Sequence, residues 1–514
     1  MKPCYNGQQS KCRQQRQSVR CMSDTSSPNF LEPEAGQSRQ PKPRRDVLRI
    51  PLLRHALLWK HSRTALQLLV FVAAAMMVID GLAGSPLAAK NTATVAAWVH
   101  YRGLIVVALL LFGNLFCAGC PFLLSRKLAK WIGRPRRRWP RALRNKWLAL
   151  AALLAMLFLY ELFDLWASPW LTAWVIVGYF VAAFVLEMLF TRDSFCLYVC
   201  PLGSFNFLYS TISPTQIMSR NQSTCRDCVG KECINGRFDD QGSLVQQGCQ
   251  LELYVPTVRS NLNCTLCLDC AKACPYENVA LGVRPPGDEL FRRGWPNRLD
   301  LALLAILAAF AALMNAVAMT PPFYMIEQGL SRIIGTQREA IVLSLLFLAG
   351  AVVVPLALIS AAAWLNRRLD AQAKPRSLRS IVVRFAYAFV PLGFGLWTAH
   401  YLFHLLIGPL TIVPAMQRFS AELIGIPLLG EPDWRIAASR VPSVGAVRGV
   451  QMAAVAIGTA FAILVGWRAT RITGKDVRHR LTEFAPWLVI LLLLAIAAVV
   501  VFLLPMEMRG NVLG

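Results

Sequence analysis

A chain of 514 residues with 55% apolar and only 16% charged side chains, and a mean hydropathy of +0.45, does not fit an ordinary soluble protein. Its formal net charge of +26 would suit a nucleic-acid partner, but the basic residues gather in connections between long apolar runs, which points to a membrane and excludes nucleic acid. The fifteen cysteines are too unevenly placed for a disulfide scaffold: three lie in the first 21 residues, four at the ends of two apolar runs, and eight between Cys225 and Cys274.

The first 45 residues are rich in Gln, Ser, Pro and Arg without apolar periodicity, and a disordered basic tail is expected over residues 1–63. Met22 precedes a polar acidic stretch and is a candidate start, which would leave Cys4, Cys12 and Cys21 outside the natural protein. A four-helix transmembrane region over 64–191 follows, with spans at about 64–85, 101–124, 147–167 and 171–191. The second span closes on Phe116-Cys117-Ala118-Gly119-Cys120-Pro121-Phe122 and the fourth leads into Phe195-Cys196-Leu197-Tyr198-Val199-Cys200-Pro201. These four thiols could hold a further cluster, form a redox-active thiol site, or be packed, inert thiols closing helix ends. Between these spans, residues 126–146 carry ten Lys or Arg and no acid, the mark of a cytoplasmic loop.

Residues 192–297 form an inserted segment that carries the chemistry. Cys264, Cys267, Cys270 and Cys274, followed by Pro275, make the C-x2-C-x2-C-x3-C-P run of two-cluster ferredoxins. Zinc takes four thiolates too, but its usual form is paired C-x2-C knuckles, and the trailing proline has no role there. A looser set lies upstream: Cys225, Cys228, Cys233 and Cys249. By cross-ligation one [4Fe-4S] cluster takes Cys225, Cys228, Cys233 and Cys274, and the other takes Cys264, Cys267, Cys270 and Cys249.

A five-helix region over 298–514 completes the chain, with spans at about 298–318, 340–364, 382–407, 449–467 and 485–505. Loops 125–146, 192–297, 365–381 and 468–484 outscore their neighbours in Lys and Arg, which puts the insert on the cytoplasmic side. The long outer connection from about Pro409 to Arg448 reads as a packed connector rather than an interfacial helix. Near the outer span ends lie His100, His400 and His404; they could ligate haem or copper, form a quinol site, or simply pack between helices. Asp80, Glu161 and Asp164 are expected near the outer interface, reaching water, and Glu187 is expected to pair with Arg192, proton relay being the alternative for all four.

The segment from Cys225 to Pro275, preceded by Cys196-Leu197-Tyr198-Val199-Cys200-Pro201-Leu202-Gly203, resembles the membrane-bound polyferredoxins of the NapH, NosR and CcoG type, and more closely the FesM-like membrane ferredoxins, over about residues 100–285. The resemblance implies electron transfer between quinol or another membrane donor and a redox partner. The Cys117 motif departs from the family's C-x3-C-P by one residue, and no flavin attachment motif or nucleotide-binding glycine fingerprint accompanies it.

The sequence therefore predicts an all-α polytopic bundle of about nine transmembrane helices with an inserted α+β two-cluster ferredoxin-like domain, in the inner membrane. Its expected contacts are membrane lipids and a quinone or redox partner protein, with no nucleic acid. It reads as an electron carrier or a quinol-linked oxidoreductase component more than a stand-alone enzyme. The alternatives are an assembly factor supplying electrons for copper or metalloenzyme maturation, and a transporter or sensor gated by the clusters.

Overall fold

The computed structural model describes residues 45–135, 137–191, 193–292, 295–369, 377–470 and 476–506; the side chain of Lys127 is excluded. The expected tail over 1–44, the candidate start at Met22 and the basic residues Arg136, Arg192, Lys374, Arg376, Arg471 and Lys475 lie outside the described residues.

The protein is a multi-pass helical membrane protein. Among the described residues, eight helices are long and apolar enough to cross a bilayer: Ser62–Ala83, Thr92–Leu111, Pro169–Leu189, Leu299–Val317, Glu339–Leu369, Phe389–Ile407, Val444–Thr470 and Val477–Leu503. Large apolar side chains such as Leu69, Ile457 and Ile496 are 60% exposed or more on these helices, which is unfavourable in water and natural against lipid. The ninth expected span is a 16-residue helix, Trp147–Leu162. At about 1.5 Å per residue it rises about 24 Å, short of a hydrocarbon core of roughly 30 Å. The apolar Leu165 and Trp166 extended the predicted span to 167, but the chain reverses there: Asp164 adopts a left-handed φ of 43° and Ser168 caps the next helix by accepting from Leu171 N.

The second span is displaced from its expected limits of 101–124. It begins at Thr92, where Asn91 accepts from Ala93 N, and ends at Leu111. Gly113, at φ 100°, then turns the chain, so that Cys117 and Cys120 stand beyond the span on a short helix, Leu115–Ala118, and a loop. The expected 382–407 span is likewise divided into Leu378–Ala386 and Phe389–Ile407.

The centre of the bundle is Leu299–Val317, 83% of whose apolar window is buried against 22% for the first span. Its alanines 302, 305, 308, 309, 311, 312 and 316 are almost wholly enclosed, and small residues are what allow membrane helices to approach closely. One close approach is at Gly395 and Gly458: a Cβ on Gly458 would lie 2.8 Å from Pro391 O and 3.2 Å from Gly395 Cα.

The connector after residue 407 is packed in its first part only; Ile424, Ile426, Leu428 and Leu429, expected to pack with it, are exposed. Its helix Ile412–Phe419 buries Pro414, Ala415 and Arg418. Arg418 reaches the first span and pairs with Asp80, which also accepts from Thr92 N and Thr92 Oγ1. Asp80 is therefore fully buried and paired, not reaching water as expected. Glu161 is also enclosed and accepts from Asn315 Nδ2 at 2.8 Å, while Asp164 is half-buried. Among the described residues, Glu187 pairs with Arg126 and Lys130.

Among the described residues, the inserted segment contains every strand but one, at Arg45–Asp46, which precedes the first span. Val279–Val283 (β5) pairs antiparallel with Thr215–Ser219 (β2) on one side and with Arg45–Asp46 (β1) on the other. Arg237–Phe238 (β3) and Leu244–Gln246 (β4) form a separate hairpin. Two expected boundaries move. Residues 45–58, assigned to the tail, supply β1 and the helix Pro51–Leu58, because Asp46 accepts from Leu48 N and Leu281 N and pairs with Arg220. Residues 201–209, assigned to the insert, form a helix whose Phe205, Leu208 and Tyr209 belong to the bundle core.

Candidate metal centre

The run from Cys264 to Cys270 coils tightly because non-glycine residues take left-handed backbone: Asn263 at φ 64°, Leu266 at 56° and Leu268 at 61°. Such residues persist only where the surroundings hold them. The hold starts at Asn261, whose carbonyl accepts from Cys264 N and whose amide donates to Ser210 O and Thr215 O. Asn261 N donates to Glu289, itself paired with buried Arg284. The result turns Cys264, Cys267 and Cys270 toward one another, and Cys249 arrives from a loop anchored by its own N–H to Cys233 O. These four cysteines line one cavity, about 370 Å³ with its open mouth included, walled otherwise by Thr265 and by apolar side chains including Ile217, Leu251, Val255 and Val258.

Cys225, Cys228, Cys233 and Cys274 lie within electrostatic reach of one another. Asn278 bridges the ends of the set, donating from its backbone to Cys274 Sγ at 3.4 Å and from its side chain to Cys225 Sγ at 3.1 Å. Its four cysteines are half-buried, as are Cys249, Cys264 and Cys267 of the first set, but this set lies nearer solvent: Cys228 donates to Glu232, and neighbouring Val229 is 90% exposed.

The membrane-end cysteines also converge. Cys117, Cys120, Cys196 and Cys200 are all buried and line a second cavity of about 370 Å³ with Phe116, Phe122, Phe195 and Phe207. Thr265 is in the wall of both cavities.

Among the described residues no three or more His, Cys, Asp or Glu side chains are placed around a single metal ion. The thiols surround spaces instead of a point, which suits a polynuclear group ligated from its corners more than one tetrahedral zinc. All-sulfur donors, apolar walls and N–H groups directed at sulfur are the features such a group requires. In the protein alone, burial pushes the Cys249 and Cys264 thiols up to about 12 and Cys233 to about 11. A bound metal group would have to supply the positive charge that ionises them.

Cations converge on these sites. Arg63, at the start of the first span, pairs with Asp269 and donates to Gln250, with Cys267 and Cys196 in electrostatic reach. Lys146 is almost wholly buried and donates from Nζ to Leu197 O at 2.6 Å, inside the loop between Cys196 and Cys200. Burial and then Arg298 pull its ammonium down to about 7, against the opposing pull of Asp300 and those two cysteines.

Of the three histidines singled out, His400 and His404 are buried and face each other, Nε2 to Nε2 at 3.1 Å. His100 stands apart from that contact, with Nδ1 at Val95 O and Nε2 at Pro409 O. Sequence reading missed Arg102, which is buried in the second span with its guanidinium over the rings of Trp98, Tyr160 and Tyr401 at 4.1–5.2 Å. The signal was available: a cation inside an apolar run is costly and marks a special position.

A segment of 101 residues, 19% of this chain, is 33% identical to the "Putative electron transport protein YccM" of Escherichia coli (strain K12). The match spans only 24% of that relative's length. No family profile matches the chain, and no solved structure matches it.

Proposed function

We propose that this chain is a membrane-bound electron-transfer protein whose insert carries two [4Fe-4S] clusters, one on Cys249, Cys264, Cys267 and Cys270, the other on Cys225, Cys228, Cys233 and Cys274. The observation that carries this reading is the enclosed cavity lined by the first four of these cysteines, three of them from a ferredoxin-type run. The similarity to a protein named for electron transport supports it, as does the likeness of the cysteine motifs to the NapH, NosR, CcoG and FesM-like membrane ferredoxins.

Bound clusters would supply one-electron carriers; the protein's own residues set their environment. Apolar walls exclude water from the enclosed set. The donors from Leu253 N to Cys249 Sγ and from Asn278 to Cys274 and Cys225 stabilise negative sulfur, which favours the reduced state. The set nearer solvent offers an exit to a soluble partner, and the enclosed set lies toward the bundle, where a quinol-class carrier dissolved in the bilayer is the proposed donor. The basic loops assign the insert to the cytoplasmic side of the inner membrane.

Two single variants test this on anaerobically purified protein. Cys267→Ser is expected to abolish one of two reduced-cluster signals in electron paramagnetic resonance and leave the other, and Cys228→Ser to do the reverse. Iron-free wild-type protein, or a Cys267→Ser spectrum identical to wild type, overturns the assignment.

A further inference from the structure

We propose that Cys117, Cys120, Cys196 and Cys200 hold a third cluster of the [4Fe-4S] class, between the bundle and the enclosed cluster of the insert. The inference rests on the two-cluster reading and extends it into the bundle.

Four sulfurs from two loops line a cavity matching in size the one formed by the ferredoxin-type run, with aromatic walls in place of aliphatic ones. None is in a disulfide. Two of these sulfurs accept hydrogen bonds: Cys200 Sγ, as the cap of the helix that begins at Pro201, from Gly203 N at 3.2 Å, and Cys117 Sγ from Asn206 Nδ2 at 3.4 Å. This repeats the donation to Cys249, Cys274 and Cys225 in the insert. At Gly203 the backbone comes close to these thiols, since a Cβ there would meet Cys196 O at 3.3 Å and Cys200 Sγ at 3.4 Å.

The surroundings are built for a negative group. The Tyr101 hydroxyl is buried without a hydrogen-bond partner, in electrostatic reach of Cys117, Cys120 and Cys200, and its ring packs on Phe116 of the cavity wall. The buried amine of Lys146 holds Leu197 O, and the guanidiniums of Arg63, paired with Asp269, and Arg126, paired with Glu187 and Asp193, lie in electrostatic reach of Cys196. A cluster with four thiolate ligands carries net negative charge, and buried charge persists only when compensated.

The position gives the site its use. Thr265, between ligands Cys264 and Cys267, walls both cavities, and Asn114 donates to Cys264 O at 3.1 Å, tying the Cys117 loop to the ferredoxin-type run. The three thiol sets therefore form a series from bundle to exposed surface, with the proposed cluster at the membrane end.

The test is iron, zinc and acid-labile sulfide per chain in anaerobically purified full-length protein, in wild type and in Cys120→Ser/Cys200→Ser. The proposal expects about twelve iron and twelve sulfide in wild type. The double variant should hold about eight of each and keep both insert signals in electron paramagnetic resonance. A wild-type count of about eight iron, with or without zinc, overturns the third cluster and leaves the two-cluster function standing. A double variant retaining the wild-type count also overturns it. Iron near zero in wild type removes the two-cluster reading itself. Should the double variant not accumulate, the wild-type count still decides.

Discussion

Arg418 and Asp80 come from segments far apart in sequence and meet inside the bundle, each almost without exposure. Removing one partner of a buried pair costs up to about 3–5 kcal/mol, less here because Arg418 also pairs with the exposed Glu422, whereas replacing both with apolar residues is often neutral. Asp80→Asn is therefore expected to lower the melting temperature in detergent markedly, and Asp80→Leu/Arg418→Met to restore most of the loss. Lys146 yields a second prediction at this scale, conditional on a redox group at the membrane-end thiols. Its positive charge favours the reduced form of that group, so Lys146→Met should move the midpoint to more negative values in a redox titration. Burial pulls the ammonium down to about 7 in the protein alone; a negative group beside it raises that value, so the ammonium discharges at higher pH. The wild-type midpoint should then fall with rising pH while that of Lys146→Met stays flatter. Neither residue's role was legible in the sequence, since each is defined by a distant partner, Asp80 for Arg418 and Leu197 for Lys146. The eight cysteines of the insert, by contrast, were legible as a set because their spacing is local.

At the level of elements, the helices were readable as apolar runs, but their ends were not. The second span stops at Leu111 because Gly113 takes a backbone conformation closed to most residues, and hydropathy carries no record of that. The short helix Trp147–Leu162 was overextended because apolar residues continue through the turn that ends it. Helix contacts are equally hidden in composition, and the glycines separate them. Gly458 faces Pro391 O and Gly395 across a helix crossing, while Gly178 has nothing within 4 Å of a Cβ position. Gly458→Ala should destabilise the protein by about 1–3 kcal/mol through overpacking. Gly178→Ala should be neutral or stabilise by up to about 1 kcal/mol, as alanine favours helix. Thermal unfolding of the two variants side by side is the check.

For the whole molecule, the basic loops predict one orientation, and the exposed hairpin of β3 and β4 offers a place to test it. A fluorescent protein inserted after Asp240 should fluoresce in cells, and alkaline phosphatase inserted there should be inactive; the opposite pair of results would reverse the topology. What no local pattern revealed is how far the insert depends on the rest of the chain. Its sheet takes an edge strand from residues before the first span, its cysteine run is pinned by Arg63, and its first helix lies in the bundle core.

That first strand has a consequence for biosynthesis. Asp46 and Leu281, joined by a hydrogen bond, lie 235 residues apart, so a ribosome has delivered every membrane segment in between before the sheet can close. Contacts of such long range form late. Closure of the sheet therefore follows synthesis of the first membrane helices, and on the two-cluster proposal iron would be delivered to a polypeptide that already carries them.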